Sequence, residues 1–482
     1  MGKQTLNGIG FLLVSCVAVA NAGTITVNTD GDPTVALCPG ICSLRQAITQ
    51  ANAADTIVFA PTLTSPIVLS RGELLINKAL TIAGPGADKL TVSAQNASRV
   101  FHIAADVMIG DVTIADGAVT GANGDAGPAG TGVGGNGVAG GQGKTASGAC
   151  VLVDSGLTAV LASVAIRHCF ATGGNGGDGG VGAPGHFTPT QSPGGNGGNG
   201  GYGGMATGAA VQSNGSLSLL DSSVIDAHAL GGSGGSGGDG SPIGIPPGFG
   251  GQGGVGGTAL GGAVAAGNGG SLRIFNSTIA NSGGNGGNGG SGGAGTGFGG
   301  IGGYATGGLL YVDSNVTPAE LEFSTLANGS VAGGGGGGPV GPGAGFPIAN
   351  AINAASTLVV ASSIVVGAQG DTDLCYGSVA AATGSANLSE FTSNTANPST
   401  CNSFSVNAPF AQTLKELDAS AIPAFMPIWS SPAINAAATC NDLLSQPVTI
   451  DQHDTPRPQP QGGACDLGAI EADYIFVDGF GA

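Results

Sequence analysis

A nearly constant unit recurs four times in the middle of this chain, and a glycine-rich insert follows each copy. The units are 22 to 25 residues long and span 148–172, 208–230, 261–282 and 307–331. The inserts shorten from 35 to 19 residues and span 173–207, 231–260, 283–306 and 332–350. A fixed unit interrupted by segments of variable length is typical of a solenoid, in which each repeat packs only on its neighbours.

The composition of the unit predicts strands rather than helices. Short apolar runs such as Leu217–Leu220 and Leu272–Phe275 alternate with Gly, Asn and Ser turn residues. About three such runs per unit are what one coil of a parallel β-helix needs. Similar runs precede the repeats, at Ile57–Phe59, Ile67–Leu69, Leu74–Ile76, Leu80–Ile82, Leu90–Val92, Val100–Ile103 and Val112–Ile114. We therefore predict an all-β protein with a parallel β-helix fold.

Hydroxyl residues mark the same point of each unit and predict a ladder. The markers are Ser163, Ser222-Ser223, Ser277-Thr278, Ser324-Thr325 and Ser362-Ser363, and in-register coils would stack them.

A short helix is predicted over 43–53, where Leu44, Ala47, Ile48 and Ala51 share one face. Ser43 is its expected N-cap, and we expect the helix to cover the open end of the first coil.

Composition divides the chain into four parts. We assign 1–22 to a signal peptide, 23–116 to the N-terminal cap and first coils, 117–350 to coils with inserts, and 351–482 to the last coils and a closing module. The third part holds 78 of the 97 glycines.

The N-terminal segment predicts export. Ala20-Asn21-Ala22 follows a short apolar run and predicts cleavage after Ala22, so that the mature chain starts at Gly23. The alternative is a lipobox ending at Cys16, which would give a lipidated N-terminus. No later apolar run reaches 18 residues, so we expect no transmembrane helix.

Eight cysteines follow the predicted leader, an even number that favours disulfides in an exported chain. Proximity in sequence suggests the pairs Cys38–Cys42, Cys150–Cys169, Cys375–Cys401 and Cys440–Cys465. Buried free thiols are the alternative for Cys150 and Cys169. No Cys-x-x-Cys motif occurs, which argues against a zinc site.

The inserts read largely as Gly-Gly-x, which fits polyproline II helices of three residues per turn. We expect ordered inserts packed side by side against one face of the β-helix, with Asn, Ser, Ala or Asp pointing outward. Flexible linkers are the alternative.

Few residues offer catalytic or metal chemistry. Charged residues make up 8% of the chain, and Asp221 with Asp226 is the nearest approach to an acid pair in the repeats. Arg167-His168 precedes Cys169, which we expect in a disulfide rather than as a nucleophile.

Two segments, which end at Asp178 and Asp239, match the start of a calcium-binding nonapeptide. Both lack the large apolar residue that the motif requires two places later. Asp451, Asp454 and Asp466 could bind a cation, although a turn paired with Arg457 is favoured. We predict no catalytic residue, no cofactor and no metal site.

Two sequence motifs resemble those of a known family. Cys42-Ser43-Leu44-Arg45-Gln46-Ala47-Ile48 resembles the CSLREA domain of bacterial surface β-helix proteins, with Gln46 in place of Glu. Ser431–Asn435, Asp451-Gln452, Arg457-Pro458 and Cys465–Glu471 resemble the closing module of choice-of-anchor β-helix proteins, with His453 in place of Arg. The resemblance implies a right-handed parallel β-helix exported by a bacterium, and it implies no substrate.

These observations favour an exported, non-catalytic surface protein with a structural or adhesive role. The alternative is a pectate-lyase-like enzyme or carbohydrate-binding protein on the same fold, and an ice- or surface-binding solenoid is a minor third reading. Surface glycans or host-matrix components are the expected partners. A net charge of −18 with only 11 Lys and Arg excludes the basic face of a nucleic-acid binder. The sequence does not predict the oligomeric state.

Overall fold

Strands from successive turns of the chain stack in parallel, and this pairing defines the fold. The computed structural model describes residues 22–34, 37–187, 190–338, 343–367, 374–389, 401, 404–407, 414–417 and 422–472. Each turn adds one short strand to each of several sheets, and the pairing is parallel in all but one strand pair of these ranges. The protein is a right-handed parallel β-helix, as predicted. None of the helices in the described ranges is long and apolar enough to span a membrane.

Short strands make up most of the secondary structure. The N-terminal elements are β1 (Thr24–Val27), α1 (Leu44–Gln50), β2 (Thr56–Phe59), β3 (Ile67–Val68), β4 (Leu74–Ile76), β5 (Leu80–Ala83), β6 (Thr91–Ser93), β7 (Phe101–Ile103), β8 (Val107–Gly110), β9 (Thr113–Ala115) and β10 (Ala118–Thr120). The repeats contain β11 (Ala146–Ser147), β12 (Val151–Val153), β13 (Thr158–Ala162), β14 (Ala165–Thr172), β15 (Ala206–Thr207), β16 (Val211–Ser213), β17 (Ser216–Leu220), β18 (Ser223–Leu230), β19 (Ala259–Leu260), β20 (Val264–Ala266), β21 (Leu272–Phe275), β22 (Thr278–Ala280), β23 (Gly283–Asn285), β24 (Ala305–Thr306), β25 (Leu310–Val312), β26 (Ala319–Glu322), β27 (Thr325–Ala332) and β28 (Pro347–Ile348). The last elements are β29 (Ile352–Ala361), β30 (Ile364–Gly367), β31 (Cys375–Ala381), β32 (Leu388–Ser389), β33 (Val406–Asn407), β34 (Leu414–Leu417) and β35 (Ala424–Pro427).

Three sheets of parallel strands form the walls of the solenoid. The first sheet has two adjoining faces, β1-β2-β5-β8-β13-β17-β21-β26 and β4-β7-β12-β16-β20-β25, which the long strand β29 joins. The second sheet runs β3-β6-β9-β14-β18-β22-β27-β30-β32-β33, and the third runs β11-β15-β19-β24-β28. Identical positions of successive coils therefore lie directly above one another.

Aliphatic side chains fill the interior in vertical rows. One fully buried row consists of Val151, Val211, Val264, Leu310 and Ile352, which strand pairing places in register. Burial of such side chains stabilises the fold by roughly 1.5–3 kcal/mol each. Along β13, β17 and β21 buried residues alternate with partly exposed ones, as expected of strands that turn one face inward.

The predicted hydroxyl ladder exists inside the solenoid. Ser222, Ser277, Ser324 and Ser363 are completely buried, and each Oγ accepts a hydrogen bond from a backbone N–H of the preceding coil at 3.1 or 3.2 Å. The prediction is wrong for Ser163, because Val164 occupies the first position of this row. Ser163 lies one residue earlier, in register with Asp221.

The residues that precede this ladder turn the chain at one corner of the coil. They share a left-handed backbone conformation with φ between 43° and 56°, at Asp111, Ser163, Asp221, Asn276, Phe323 and Ser362. Asn and Asp tolerate this conformation better than most residues, and three of the six positions carry one of them. The corner explains why the Ser163 marker falls out of register with the ladder: it belongs to the turn.

Helix α1 covers the first coil, as the sequence predicts. Ser43 is its N-cap, accepting a hydrogen bond from the Gln46 N–H at 3.2 Å. Leu44, Ala47, Ile48 and Ala51 are buried in the same core as the coils. Arg45 pairs with Asp32 at 2.8 Å and donates to the carbonyls of Glu73 and Gly72, which fixes the helix to the next turn of chain.

The C-terminal residues 422–472 pack along the side of the coils. Arg457 is fully buried, pairs with Glu471 at 3.0 Å and lies 5.0 Å over the ring of Phe323. Its Nη2 donates to Asn276 of the corner row, and Gln452 accepts from Thr278 of the second sheet at 2.6 Å. The residues that resemble a closing module thus form a buried polar cluster against three coils.

Four disulfides link the cysteines in the neighbour pairs that the sequence suggested, at Cys38–Cys42, Cys150–Cys169, Cys375–Cys401 and Cys440–Cys465. Cys150 and Cys169 are completely buried and bridge the interior of one coil, so the free-thiol alternative is wrong for them. Disulfides are typical of proteins outside the reducing cytoplasm. Residues 1–21 of the proposed leader, which include Cys16, lie outside the described residues.

Candidate binding surface

The glycine-rich inserts are ordered and form a two-layered slab. Each insert leaves the end of a second-sheet strand as an outgoing leg and comes back to the third sheet as a returning leg. The outgoing legs span 121–130, 173–183, 231–241, 286–294 and 333–337, and the returning legs span 135–144, 194–204, 248–257, 297–303 and 343–346. Residues 121–144 make a fifth hairpin that the repeat pattern did not predict, so the inserts do not simply shorten along the chain.

Backbone hydrogen bonds join every leg to its neighbours with a period of three residues. The Gly176 N–H donates to the Ser233 carbonyl in the next outgoing leg at 2.8 Å. The Gly177 N–H donates to the Gly141 carbonyl in the returning layer, also at 2.8 Å. The third residue of each triplet points away from both contacts. This pattern is that of polyproline II helices, and it confirms the predicted order and excludes flexible linkers in the described inserts.

Glycine is required where two legs meet. A Cβ atom on Gly177 would lie 2.0 Å from the carbonyl oxygen of Asp125, and one on Gly198 would lie 2.0 Å from that of Val138. No side chain fits at such separations. The legs' hydrogen bonds run between legs, so the slab is a layer that leaves the coils at the corner between the second and third sheets. The inserts do not pack flat against one coil face, and that part of the prediction is wrong.

The two faces of the slab carry different side chains. Outgoing legs present small polar residues, among them Asn175, Asp178, Ser233, Ser236, Asp239, Asn288 and Ser291. Several of these accept hydrogen bonds from the next leg, as Asn175 Oδ1 does from Ser233 N–H at 2.9 Å. The sequence predicts small polar side chains on all legs. For the returning legs this prediction holds at Asn136, Asn196 and Asn199 and is wrong at the large apolar positions.

Returning legs present aromatic and aliphatic side chains to solvent. The exposed fractions are 55% for Tyr202, 59% for Phe249, 55% for Phe298, 37% for Ile301, 41% for Tyr304 and 66% for Phe346. Tyr304 and Phe346 stack at 6.2 Å between ring centroids, on adjacent legs. We call the side of the slab that carries these residues the returning face. An exposed apolar patch of this kind marks an interaction surface.

Asp221 and Asp226, the nearest approach to an acid pair in the repeats, lie in different surroundings. Asp221 accepts a hydrogen bond from Asn276 at 2.9 Å beneath the C-terminal segment, whereas Asp226 lies 3.8 Å from His168 Nε2. Burial raises the pKa of the Asp221 carboxyl to about 6, and the nearby Asp454 and Asp451 carboxylates add to the rise. The two carboxyls thus have different partners.

The other candidate groups of the sequence are also engaged. Cys169 is in a disulfide, so His168 has no thiol partner and lies instead 3.3 Å from Asp116. Asp178 and Asp239 accept backbone N–H bonds from the next leg at 2.7 Å. Asp451 and Asp466 likewise accept backbone N–H bonds within the C-terminal segment. Across the described ranges, no group of three or more His, Cys, Asp or Glu residues is arranged to hold a metal ion.

One polar cluster escapes sequence-based prediction because its members are distant along the chain. His102 lies between Glu73 at 3.3 Å and Asp154 at 3.1 Å on the outside of the first sheet. Arg99 pairs with the same Glu73 and donates to the carbonyls of Gly148 and Ser147. Both imidazole nitrogens are occupied by carboxylates, so the cluster links three coils. Only the register of the coils, which is not evident from the sequence at these residues, could have revealed it.

Comparisons with known proteins add little about function. No protein-family model matches the chain, and no curated protein matches it. Among solved structures it is similar to pectate lyase Pel9A, with 11% identity, 94% of this chain and 97% of that one covered, and a TM-score of 0.28. It is also similar to the PL6 family alginate lyase AlyGC, with 13% identity, coverages of 83% and 55%, and a TM-score of 0.23. ORF18 of Geobacillus virus E2 has 11% identity, coverages of 83% and 63%, and a TM-score of 0.24.

Proposed function

We propose that this protein is an exported, non-catalytic β-helix protein of the bacterial cell surface or its surroundings, with an adhesive role. The observation that carries the proposal is the slab, whose returning face exposes five aromatic side chains on a hydrogen-bonded backbone. Exposed aromatic residues on an ordered scaffold are costly in water unless a partner covers them.

Three further features support export to a surface. The four disulfides suit an oxidising compartment. The N-terminal and C-terminal motifs resemble those of CSLREA and choice-of-anchor surface proteins. The Ala20-Asn21-Ala22 sequence predicts signal cleavage before Gly23, with lipidation at Cys16 as the alternative. Intact mass of the secreted protein distinguishes these two N-termini.

Surface location and adhesion can be tested in the producing bacterium. Antibodies against the full chain should label intact cells, and cells that lack the gene should attach more weakly to glycan- or matrix-coated plates. Complementation with the full gene should restore attachment. Labelling only after cell lysis, or unchanged attachment of the deletion strain, would contradict the proposal.

Catalytic inactivity is a separate part of the proposal. The proposal is supported by the contacts that Asp221, Asp226, His102 and His168 make with neighbouring side chains. Purified full-length protein should release no reducing ends and no unsaturated uronates from pectin, alginate or xylan, with or without Ca²⁺. If the protein does turn over one of these polymers, and Asp221→Asn or Asp226→Asn abolishes that activity, the protein is an enzyme.

A further inference from the structure

We propose that the returning face binds an uncharged polysaccharide, with one sugar residue seated among Gln142, Asn199, Tyr202 and Gln252. The inference rests on the proposed adhesive function and names the chemistry of the partner.

A hollow in the returning face has the size and lining of a sugar subsite. Its volume is about 250 Å³, and it spans the returning legs 135–144, 194–204 and 248–257. Gly140, Gly200, Gly201 and Gly253 line it together with Ala139, so its floor is backbone. The side chains of Gln142, Asn199, Tyr202 and Gln252 form the rim.

The rim offers hydrogen-bonding groups that the protein itself does not use. The side-chain amides of Gln142 and Gln252 make no hydrogen bond to the described part of the chain. Asn199 Oδ1 accepts the Gln252 N–H at 2.9 Å, which leaves the Asn199 amide N–H₂ to donate. A carboxamide donates and accepts at once, as a sugar hydroxyl does, so the two pair without any change of charge.

The aromatic residues supply the complementary apolar contact. Tyr202 borders the hollow with a ring that is 55% exposed. The face of a pyranose ring that carries C–H groups packs on an aromatic ring, and a tyrosine hydroxyl can still reach a polar partner at the edge. The hollow therefore presents amides and a ring within one sugar-sized volume.

The charge distribution selects an uncharged partner. The chain has a net charge of −18, yet the outward positions of the returning legs hold no acid or base. Lys144 lies on the edge leg at a position whose N–H donates to Ala122 in the outgoing layer, and so is not one of the outward positions. Acidic residues occur on the opposite face, at Asp178 and Asp239. An anionic polymer would find no cationic side chain at these outward positions, and a cationic polymer would find no anionic one.

The extent of the exposed apolar surface favours a polymer over a single sugar. Adjacent legs leave successive coils and so lie about 4.8 Å apart. Outward residues along one leg repeat every three residues, about 9 Å apart. Phe249, Phe298, Tyr304 and Phe346 continue the apolar surface beyond the hollow across three legs. The hydrogen-bonded backbone holds these rings in place before binding, which reduces the entropy lost on association.

Binding of the purified full-length protein to insoluble cellulose, chitin and β-1,3-glucan tests the inference, with alginate and polygalacturonate as anionic comparators. We expect binding to at least one uncharged polymer. The variant Q142A/Y202A/Q252A should bind at least about tenfold more weakly. The matched variant V181S/S291A, altered on the opposite face, should bind within about twofold of the wild type. Hydrogen exchange of the slab amides confirms that each variant is folded.

Several outcomes would overturn the inference. The site is excluded if the protein binds none of the uncharged polymers. It is also excluded if the wild type and Q142A/Y202A/Q252A bind equally well. Binding to phosphatidylcholine vesicles that F249S/F298S abolishes would assign the face to a lipid surface. A dimer that F249S/F298S dissolves would assign it to a second copy of the chain. If deletion strains attach poorly while no uncharged polymer binds, adhesion stands and the identity of the ligand is wrong.

Discussion

The Oγ of Ser277 accepts a hydrogen bond from the backbone N–H of Ser222, one coil earlier, at 3.1 Å. The same hydroxyl donates to the carbonyl of Phe275 at 2.7 Å, and both serines are completely buried. The left-handed corner interrupts the regular ladder of backbone hydrogen bonds at this point. The serine side chain therefore supplies the acceptor that a buried N–H requires.

Removing one hydroxyl of this ladder should destabilise the protein. Ser277→Ala leaves the Ser222 N–H without an acceptor in a dry interior, which costs about 1–3 kcal/mol. Denaturant unfolding should show this loss, whereas Ser233→Ala on the slab surface should leave stability within about 0.5 kcal/mol of the wild type. Equal stabilities of the two variants would show that the ladder is dispensable.

Arg457 is expected to be the most sensitive residue of the C-terminal segment. It is fully buried with Glu471, so Arg457→Met leaves an unpaired buried carboxylate and should cost about 3–5 kcal/mol. The double variant Arg457→Met/Glu471→Gln should recover part of the loss. Arg71→Met, which removes an exposed arginine, is the matched control. Thermal unfolding of the four proteins gives the comparison.

Asp221 should make the protein less stable as the pH rises. Its carboxyl titrates near 3.8 when unfolded and at about 6 when folded, so the folded state binds more protons between these values. Stability therefore falls across this window and stays lower above it. Asp221→Asn removes the charge and suits the left-handed backbone with φ of 48°. We expect it to raise stability at pH 7.5 by at most about 3 kcal/mol, and to do nothing at pH 3.

The opposite pH dependence would contradict this prediction. If the wild type became more stable than Asp221→Asn between pH 4 and pH 6, the ionised carboxylate would have a stabilising role. Chemical denaturation across that range is the measurement, and Asp226→Asn serves as the control because its carboxyl is more exposed.

The slab should depend on glycine at leg contacts and tolerate change at outward positions. A methyl group at Gly198 meets the Val138 carbonyl oxygen, so Gly198→Ala should part adjacent legs. Amides 194–204 would then lose protection in hydrogen exchange. Val255→Ala, on an outward position of the next returning leg, should keep wild-type protection. Unchanged exchange in Gly198→Ala would mean that the legs are further apart than the structure shows.

The Cys150–Cys169 disulfide should stabilise the coil that it crosses. It closes a loop with a sequence separation of 19, for which the chain-entropy model gives about 3 kcal/mol. Cys150→Ala/Cys169→Ala should lower the denaturant midpoint accordingly. Reagents that alkylate free thiols should leave both cysteines of the secreted wild type unmodified.

The sequence by itself determined much of this protein. The β-helix and the ordered state of the inserts follow from periodicity and turn residues, because contacts recur along the chain and one repeat predicts the next. The capping helix that starts after Ser43 and the disulfide pairs follow from local pattern and cysteine spacing, because their partners lie close together in sequence. The slab is the clearest case, since its triplet period appears directly in the sequence.

Other features depend on which coil lies above which, and only the tertiary structure decided them. Ser163 lies outside the hydroxyl ladder because it occupies the corner row, in register with Asp221, and Val164 takes the ladder position. His102 met Glu73 and Asp154 because three coils stack their outer faces. The contrast between the two faces of the slab arises because each insert doubles back, so that residues from outgoing and returning legs separate onto opposite sides. A linear sequence records the residues of both legs in one run, and it contains no signal for the side on which each leg lies.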